Sequence, residues 1–501
     1  MKKILKIIRN YIGKHLLNLL IKLKRFNCLY SFTKYFPKSK YKAIQSLMHR
    51  GYLDLAYEIA KDYTPKEHEK LLIERVLFMH KVKKNGYKSL PYSFHIQNNL
   101  KPLFIVHNSL PYEHAGYAIR THTIVTHLKK QNIEVDVVTR AGYPWDLIKH
   151  RDKDYKKIDI IDGIKYIRLN DKKKTFKKGT DRTYIKVYAD AIEKEIQKNH
   201  YTILQAHSNY LNGLAMLEVA AKLKLPALYE IRGLWHITRT TLDPHFKYAG
   251  MYEYEQEMEL SIARKVHRVI VISKALQNLL ISFGINKEKI RVIPNAVDLK
   301  KFHPIKKNNT LVKQYNLENK FVIGFLGSLT AYEGLKELIL SVDNLVEIEN
   351  YANIVLMIVG DGRERKNLEK LTQSKNIIFT GRVAFQEVNN YYSLFDICPF
   401  PRNNVEVCRY VPPLKPLEAM AMQKAIIVSD VAPLLEMVED NQTALVCKAD
   451  SIEDLKAKIL ILYKDKQKCN QLAINARKFV EQHRNWSNIS KQYKEIYNEF
   501  Q

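Results

Sequence analysis

The sequence predicts an α/β protein with two doubly wound parallel sheets in tandem and an α-helical extension before them. Short apolar runs alternate with helical patterns from residue 101 onward, and this alternation breaks at 303–320 and then restarts. The first hundred residues show helical spacing alone. Apolar strands separated by helices are typical of parallel sheets covered on both faces. Two such domains are expected to face a cleft at the carboxyl ends of their strands.

Residues 1–30 are interpreted as a basic amphipathic helix on an anionic membrane surface. Residues 1–50 hold thirteen Lys or Arg and no Asp or Glu. No apolar run approaches the roughly 20 residues that span a bilayer, and no small-residue cleavage site follows. This favours a cytoplasmic protein, peripheral on the cytoplasmic face of the inner membrane. The alternative is a helix docked on its own protein. The apolar residues at helical spacing are Ile4, Ile8, Tyr11, Ile12, Leu16, Leu19 and Leu23.

The composition indicates a globular protein with an excess of positive charge. The chain is 46% hydrophobic and 27% charged, which argues against wholesale disorder. Its net charge of +30 attracts polyanions such as nucleic acid or an anionic membrane. Nucleic acid is not an expected partner, because the sequence contains no aromatic and basic recognition module. Five cysteines without CxxC or zinc spacing suit a reducing cytosol.

The remaining segments follow in chain order. Residues 31–99 are interpreted as a helical adaptor and linker, since 43–63 has the spacing of one helical hairpin. Residues 100–305 and 306–482 are the two predicted sheet domains, and 483–501 a helix that crosses back to the first. DIID at 159–162 is interpreted as a turn near a strand. The strand candidates are 103–108, 135–139, 202–207, 227–231, 268–273, 290–295, 321–328, 352–360, 376–381, 395–400, 425–429 and 444–447.

Two features of the second domain point to a ligand. GSLTAYEG and GDGRERKNLEKL place glycine turns before helices, where backbone NH groups and the helix dipole can face an anion. Neither is a dinucleotide fingerprint or a P-loop. In VPPLKPLEAMA, Pro416 suits the first turn of a helix. Glu418 could then accept hydrogen bonds from two ribose hydroxyls while Lys415 offers charge to phosphate. The alternative is a glutamate favoured by the helix dipole alone.

These motifs resemble glycosyltransferase family 4, retaining enzymes of the GT-B fold. The matching pieces include GSLTAYEGLKELI, MIVGDGRERKNLEKL, FTGRV, YYSLFDICPFPR and PPLKPLEAMAMQKAIIVSDVAPLLEMV, and in the first domain HAGYAIRTHTIVTHLKKQ and YEIRGLW. The resemblance runs from about residue 101 to the C-terminus. It implies two Rossmann-like domains, with acceptor bound mainly by the first and a UDP- or GDP-sugar donor mainly by the second.

The resemblance also assigns residues. Glu418 matches the glutamate that binds the donor ribose, and Val383 a backbone contact to the base. Gly116 lies in the loop that approaches the diphosphate. His207 matches a histidine near the transferred sugar, expected to hydrogen-bond it and not to act as a base; alone, it would be read as a satisfied polar residue at a strand end. The other candidates for substrate contacts are Arg120, Arg232, Ser328, Arg382, Arg402, Arg409 and Tyr410.

The chain departs from the family where phosphate is bound. Many members have an arginine and a lysine where this chain has Ser328 and Glu333, and Tyr410 stands where some have a glutamate. A departing nucleoside diphosphate gains negative charge in the transition state, so these cations need a replacement. Lys415 is the first candidate, with Arg409 and Arg402 behind it. The family implies no metal and no cofactor besides the nucleotide sugar, and basic groups would do what a divalent ion does elsewhere.

Three functions fit the sequence. The first is a retaining transferase that moves a sugar to a saccharide or polyprenyl-linked acceptor of a bacterial capsule or lipopolysaccharide. No acid stands out as a covalent nucleophile, so the same-face displacement proposed for the family is expected. The second is a nucleotide-sugar epimerase or hydrolase of the same fold, which needs no membrane helix. The third is a non-catalytic, membrane-associated scaffold that binds sugar nucleotides. It is suggested by the net charge and by the absence of the arginine and lysine that many family members have at positions 328 and 333.

Overall fold

The computed structural model describes residues 16, 20, 27–89, 93–96, 99–169 and 180–501. The basic helix predicted for residues 1–30 falls mostly outside these ranges, so it stays a prediction. Residue contacts divide the chain into two units. The first comprises Met1–Ala118, Ile133–Val269 and Phe500–Gln501, and the second comprises Ile119–Asn132 and Ile270–Glu499.

The predicted helical extension is confirmed, and it packs within the first unit. Lys83 binds Asp54 at 2.7 Å and also pairs with Glu253, which lies on a later helix of this unit. The Met251 amide donates to the Gly51 carbonyl at 3.1 Å. Ion pairs and backbone bonds thus tie the extension to the α/β part of the unit. Its helices are α1 (Asn27–Tyr35), α2 (Lys40–His49), α3 (Leu53–Ala60) and α4 (Lys70–Asn85).

The first sheet has eight strands in the order β3-β4-β2-β1-β5-β6-β7-β8. Neighbouring strands pair in parallel from β4 through β2, β1 and β5 to β6. β3 pairs antiparallel with β4. Every residue of β1, β5 and β6 is buried and most of them are apolar, as expected for strands covered on both faces. The strands are β1 (Pro102–Val106), β2 (Asp136–Thr139), β3 (Ile158–Ile161), β4 (Ile164–Arg168), β5 (Ile203–His207), β6 (Ala227–Ile231), β7 (Arg268–Val271) and β8 (Ile290–Val292).

Side-chain caps start several of the helices between these strands. Asn209 Oδ1 accepts from the Leu211 amide and Ser273 Oγ from the Leu276 amide, which satisfies amides that a helix leaves unpaired at its start. The helices are α5 (Gly116–Lys129), α6 (Asp181–Asn199), α7 (Tyr210–Leu223), α8 (Trp235–Thr240), α9 (Gly250–Lys265) and α10 (Lys274–Ser282).

The interpretation of 159–162 as a turn is wrong for most of its length. Residues 159–161 lie in β3, and only Asp162 and Gly163 form the turn into β4, with φ of 50° and 73°. Positive φ at both turn residues is what a tight hairpin needs. The Asp159 carboxylate pairs within the sheet, since its Oδ2 accepts from the buried Arg168 Nη2 at 2.9 Å.

The second sheet lies wholly in the second unit, and all its pairings are parallel, in the order β11-β10-β9-β12-β13-β14. Its core joins buried residues of the strands with one face of the covering helices, for example Phe325, Ile358 and Ile427 with Leu338 and Ile459. The strands are β9 (Phe321–Leu326), β10 (Ile354–Val359), β11 (Ile377–Gly381), β12 (Ile397–Phe400), β13 (Ala425–Ser429) and β14 (Leu445–Cys447).

The helices of the second half alternate with these strands, as the sequence predicts. They are α11 (Asn309–Gln314), α12 (Leu335–Asp343), α13 (Arg365–Glu369), α14 (Val388–Leu394), α15 (Lys415–Ala421), α16 (Ala432–Leu435), α17 (Ile452–Lys464), α18 (Lys466–His483) and α19 (Trp486–Asn498). Among all helices of the described ranges, none has the length and apolar character needed to cross a membrane.

Candidate active site

The carboxyl ends of the second sheet meet at one edge, because all its strands run parallel. Backbone bonds join the turns there: the Gly327 amide donates to the Val359 carbonyl and the Gly360 amide to the Gly381 carbonyl, both at 2.9 Å. The first turn of α15 brings Lys415 and Glu418 to the neighbourhood of these turns. The edge therefore gathers several of the residues that the sequence singles out.

Glu418 is half-buried, and its Oε2 accepts from the Tyr392 hydroxyl at 3.3 Å. Burial raises the pKa of Glu418 above its ordinary value, and the charges of Lys301 and Lys415 and the Tyr392 hydrogen bond offset this only in part. A carboxylate with one ordered donor keeps further acceptor sites on its two oxygens. This geometry suits the acceptance of hydroxyl donors from a ligand.

Lys415 lies against the turn that follows β9. Its Nζ is 2.9 Å from Glu333 Oε1 and 4.7 Å from the centre of the Phe325 ring. A Cβ at Gly327 would come within 2.3 Å of Lys415 Cε, so a side chain there would displace the lysine stem from its present position. The charge of Lys415 is thereby placed at the Gly327–Ser328 turn.

Arg402, two residues after the end of β12, is the second cation beside Glu333. Its Nε is 3.9 Å from Glu333 Oε2, and its Nη1 donates to the Val411 carbonyl at 2.7 Å. Burial alone would raise the pKa of Glu333, but Lys415 and Arg402 together hold that pKa below its ordinary value. Two cations and one carboxylate therefore leave a net charge of +1 at the edge of the sheet.

The other candidates of the second unit are more exposed. Ser328 and Arg382 are exposed at the ends of β9 and β11, beside the half-buried Val383. Arg409 is exposed and donates to Asn404 Oδ1 at 2.8 Å. The Tyr410 carbonyl accepts from Ser273 Oγ at 2.7 Å.

The first unit brings His207 and Arg232 together at the ends of β5 and β6. Arg232 Nη2 lies 2.8 Å from His207 Nδ1, and Arg232 Nε donates to Glu230 Oε1 at 2.8 Å. A guanidinium only donates, so Arg232 can donate to Nδ1, and Glu230 Oε2 also lies 3.3 Å from this nitrogen. His207 is fully buried.

Gly116 and Arg120 both lie on α5 but differ in environment. Gly116 is its exposed first residue. Arg120 is buried, and its guanidinium donates to Asn295 Oδ1 at 2.7 Å, the Ile293 carbonyl at 3.1 Å and the Tyr493 hydroxyl at 3.1 Å. The prediction that Arg120 contacts substrate is not supported, because these structural bonds occupy its donors.

Gly334 closes the turn that carries Glu333, and its φ is 71°. An added Cβ would lie 1.8 Å from the Pro401 carbonyl oxygen. Because this oxygen belongs to the backbone, it cannot move aside as a flexible side chain would. We expect Gly334→Ala to lower the free energy of unfolding by at least about 2 kcal/mol, since strain and a backbone clash act together. Denaturant unfolding measures this loss.

Gly284→Ala is the matched control for that prediction. Gly284 has φ of 81° but no neighbouring atom within 4 Å of an added Cβ. It should show only the cost of a left-handed backbone, about 1 to 2 kcal/mol. Equal losses in the two variants would contradict the clash at Gly334.

Metal-ligating clusters are a separate question. Among the residues that the structure describes, no group of three or more His, Cys, Asp or Glu side chains is placed to hold a metal ion. The polar groups described at the sheet edge are the cations Lys415 and Arg402, backbone amides and the carboxylates Glu333 and Glu418, a combination that suits an anionic ligand with hydroxyl groups.

The protein has two α/β sheets, and Lys415, Arg402, Glu333 and Glu418 lie at the carboxyl edge of the second one. Residues 114–301 match the family described as Glycosyltransferase Family 4, and residues 307–479 match Glycosyl transferases group 1. The chain belongs to this family of glycosyltransferases and has its GT-B fold. The resemblance identified from the sequence is thus confirmed.

Three similar proteins illustrate the family. An uncharacterized glycosyltransferase of Methanocaldococcus jannaschii is 24% identical over 309 residues, which cover 60% of this chain and 76% of that protein. CapM of Staphylococcus aureus, a capsular polysaccharide biosynthesis glycosyltransferase, is 26% identical over 290 residues, which cover 54% of this chain and 70% of CapM. The crystal structure of HepE from Anabaena in complex with UDP matches with a TM-score of 0.58 at 18% identity. The match covers 80% of this chain and 100% of the HepE chain.

Two contacts of this edge escape prediction from the sequence. Lys301 lies with its Nζ 3.0 Å from the centre of the Phe385 ring, and its charge acts on Glu418. Tyr392 supplies the ordered donor to Glu418. The tyrosine pair in YYSLF could have suggested a polar partner, whereas Lys301 stands in a lysine-rich stretch that gives no specific signal.

Proposed function

We propose that the protein transfers a sugar from a UDP- or GDP-sugar to a saccharide or polyprenyl-linked acceptor in bacterial surface polysaccharide synthesis. The observation that carries this is the joint presence of Glu418 and the Lys415, Glu333 and Arg402 cluster at one edge of the second sheet. A nucleotide sugar has a ribose diol and a diphosphate that these groups complement. The likeness to CapM and to HepE bound to UDP supports the capsule context and the nucleotide.

The donor is held by groups of the second unit. Ionised Glu418 accepts hydrogen bonds from the two ribose hydroxyls, and the backbone at Val383 contacts the base. Lys415, Arg402 and the amides of the Gly327 turn stabilise the charge that develops on the leaving diphosphate. These cations do what a divalent ion does elsewhere, so turnover needs no metal and no cofactor.

The first unit supplies the acceptor side. His207 hydrogen-bonds the transferred sugar, and Arg232, whose Nη2 lies 2.8 Å from Nδ1, fixes the ring. The bond between the anomeric carbon and phosphate breaks as the acceptor oxygen bonds on the same face of the sugar. The leaving phosphate receives the acceptor hydroxyl proton, so no side chain is needed as a base, and the product retains the anomeric configuration.

A panel of UDP-, GDP- and CDP-sugars tests the reaction. We expect nucleotide release from one donor to rise at least tenfold when the correct saccharide or polyprenyl-linked acceptor is added, with the product detected by mass spectrometry. Release at the same rate without acceptor would indicate a hydrolase. Binding without any release would indicate a non-catalytic scaffold.

Removing residues 1–26 tests the proposed peripheral position on the cytoplasmic face of the inner membrane. This segment carries eight Lys or Arg and no acid, and each such charge near an anionic surface contributes about 1 kcal/mol of attraction. We expect the truncated protein to move from the membrane fraction to the supernatant. The untruncated protein washed with high salt is the control, and a truncated protein that still sediments with membranes would contradict the anchor.

A further inference from the structure

Glu333 is a buried acid between two cations of the proposed donor site. It lies on the short turn Ala331–Glu333 after β9 and is 5% exposed. Lys415 comes from the start of α15 and Arg402 from the end of β12, so three separate elements meet at this carboxylate. Their placement depends on close backbone packing, since Gly334 lies directly against the Pro401 carbonyl.

The pairing around Glu333 is incomplete on one side. Lys415 Nζ binds Oε1 at 2.9 Å, whereas Arg402 Nε stands 3.9 Å from Oε2. Both Oε2 and that Nε are buried, and neither has a hydrogen-bond partner among the described residues. An incompletely paired buried ion is costly, and apolar packing of similar volume would often be at least as stable. Fold stability alone therefore gives little reason for a carboxylate at this position.

The position of the carboxylate does explain the conformation of Lys415. A lysine side chain is a flexible stem with a point charge at its end. Here the stem lies on Gly327 and the Nζ is fixed between Glu333 and the Phe325 ring. Without Glu333, Lys415 and Arg402 would repel each other in a site with little solvent.

We infer that Glu333 is a positioning residue, which holds Lys415 and Arg402 at the Gly327 turn so that a net charge of +1 faces the donor diphosphate. The inference rests on the proposed function, because it assumes that Lys415 acts on phosphate. Glu333 itself does not touch the ligand. It acts through the two cations.

Equilibrium binding to the full-length protein tests this role. UDP and GDP are titrated against the parent protein, and the nucleotide that binds is compared with its monophosphate in Glu333→Gln. We expect the diphosphate to bind at least tenfold more weakly in the variant, while the affinity for the monophosphate changes less than threefold. A purely structural role would weaken both alike. Glu347→Gln, at an exposed acid of the same unit, should change neither.

The opposite outcome is equally informative. Removing a negative charge raises the cluster from +1 to +2, so a Glu333 that merely neutralises charge predicts tighter diphosphate binding in Glu333→Gln. Unchanged or tighter binding overturns the positioning role. If the parent protein binds neither diphosphate, or if Lys415→Met leaves the diphosphate affinity unchanged, the proposed phosphate site itself is wrong, and Glu333 has no such role.

A second variant covers the case in which Glu333→Gln does not fold. Glu333→Asp keeps the charge but shortens its reach by one methylene, so Lys415 Nζ is held less well. We expect an intermediate loss of diphosphate affinity, between threefold and tenfold, with a lower kcat and a donor KM that changes less. Full diphosphate affinity in the folded Asp variant would contradict the geometric requirement.

Discussion

Replacing Lys415 with alanine is expected to lower the rate of sugar transfer at least 100-fold. The lysine Nζ lies at the Gly327 turn, and a charge directed at a developing phosphate anion contributes roughly 10²- to 10³-fold to a rate. The change should appear in kcat more than in the KM of the donor, because the diphosphate is most negative as it leaves. Steady-state kinetics with the donor found in the panel measure both.

Two comparisons separate this effect from a loss of fold. Lys415→Met keeps most of the apolar stem that packs on Gly327 and should be as inactive as the alanine variant. Lys336→Ala removes an exposed lysine of the same unit and should keep full activity. Thermal unfolding checks that each variant is folded. Near-normal turnover in folded Lys415→Met would refute the phosphate role.

Glu418→Gln is expected to reduce kcat/KM for the donor by about 100-fold. In the proposed complex the carboxylate accepts a hydrogen bond from each of the two ribose hydroxyls. A hydrogen bond to a charged group contributes about 1.5 to 3 kcal/mol. Its neutral amide has one acceptor oxygen in place of two. Glu318→Gln, at an exposed acid of the same unit, should leave kcat/KM unchanged. A loss below threefold in Glu418→Gln would rule out the ribose contact.

The pH dependence of this reaction follows from the same residue. Burial, only partly offset by Lys301, Tyr392 and Lys415, raises the pKa of Glu418. The ionised form, which binds the diol, is complete above that pKa and is lost as the pH falls through it. We therefore expect kcat/KM to decline on the acid side at a pH above the ordinary glutamate range. The decline should be absent in Glu418→Gln, whose residual rate no longer depends on this proton.

The strands and their order along the chain could be predicted from the sequence, because buried parallel strands are short apolar runs. Each of the twelve candidates overlaps a strand of the structure, and most differ from it by one or two residues at an end. The missed pair, β3 and β4, alternates polar and apolar residues and is partly exposed. Asp162–Gly163 between two such runs was the available hairpin signal.

The site was predictable one element at a time but not as an assembly. Lys415 and Glu418 stand out through their spacing on one helix. The contact between Glu333 and Lys415 joins residues far apart in the sequence, and it depends on β9 and β12 being neighbours in the sheet. Arg120 misled for the converse reason, since a motif does not show that a guanidinium is buried against Asn295 and Tyr493.

A crystal structure of the protein with its nucleotide-sugar donor tests the central claim most directly. We predict that each of the two ribose hydroxyls lies within 3.2 Å of a Glu418 carboxylate oxygen, which is an ordinary hydrogen-bond length. The two hydroxyls can share one oxygen or use both. Lys415 Nζ should lie within about 4 Å of a diphosphate oxygen. A donor bound with Glu418 and Lys415 directed away from it would contradict the account.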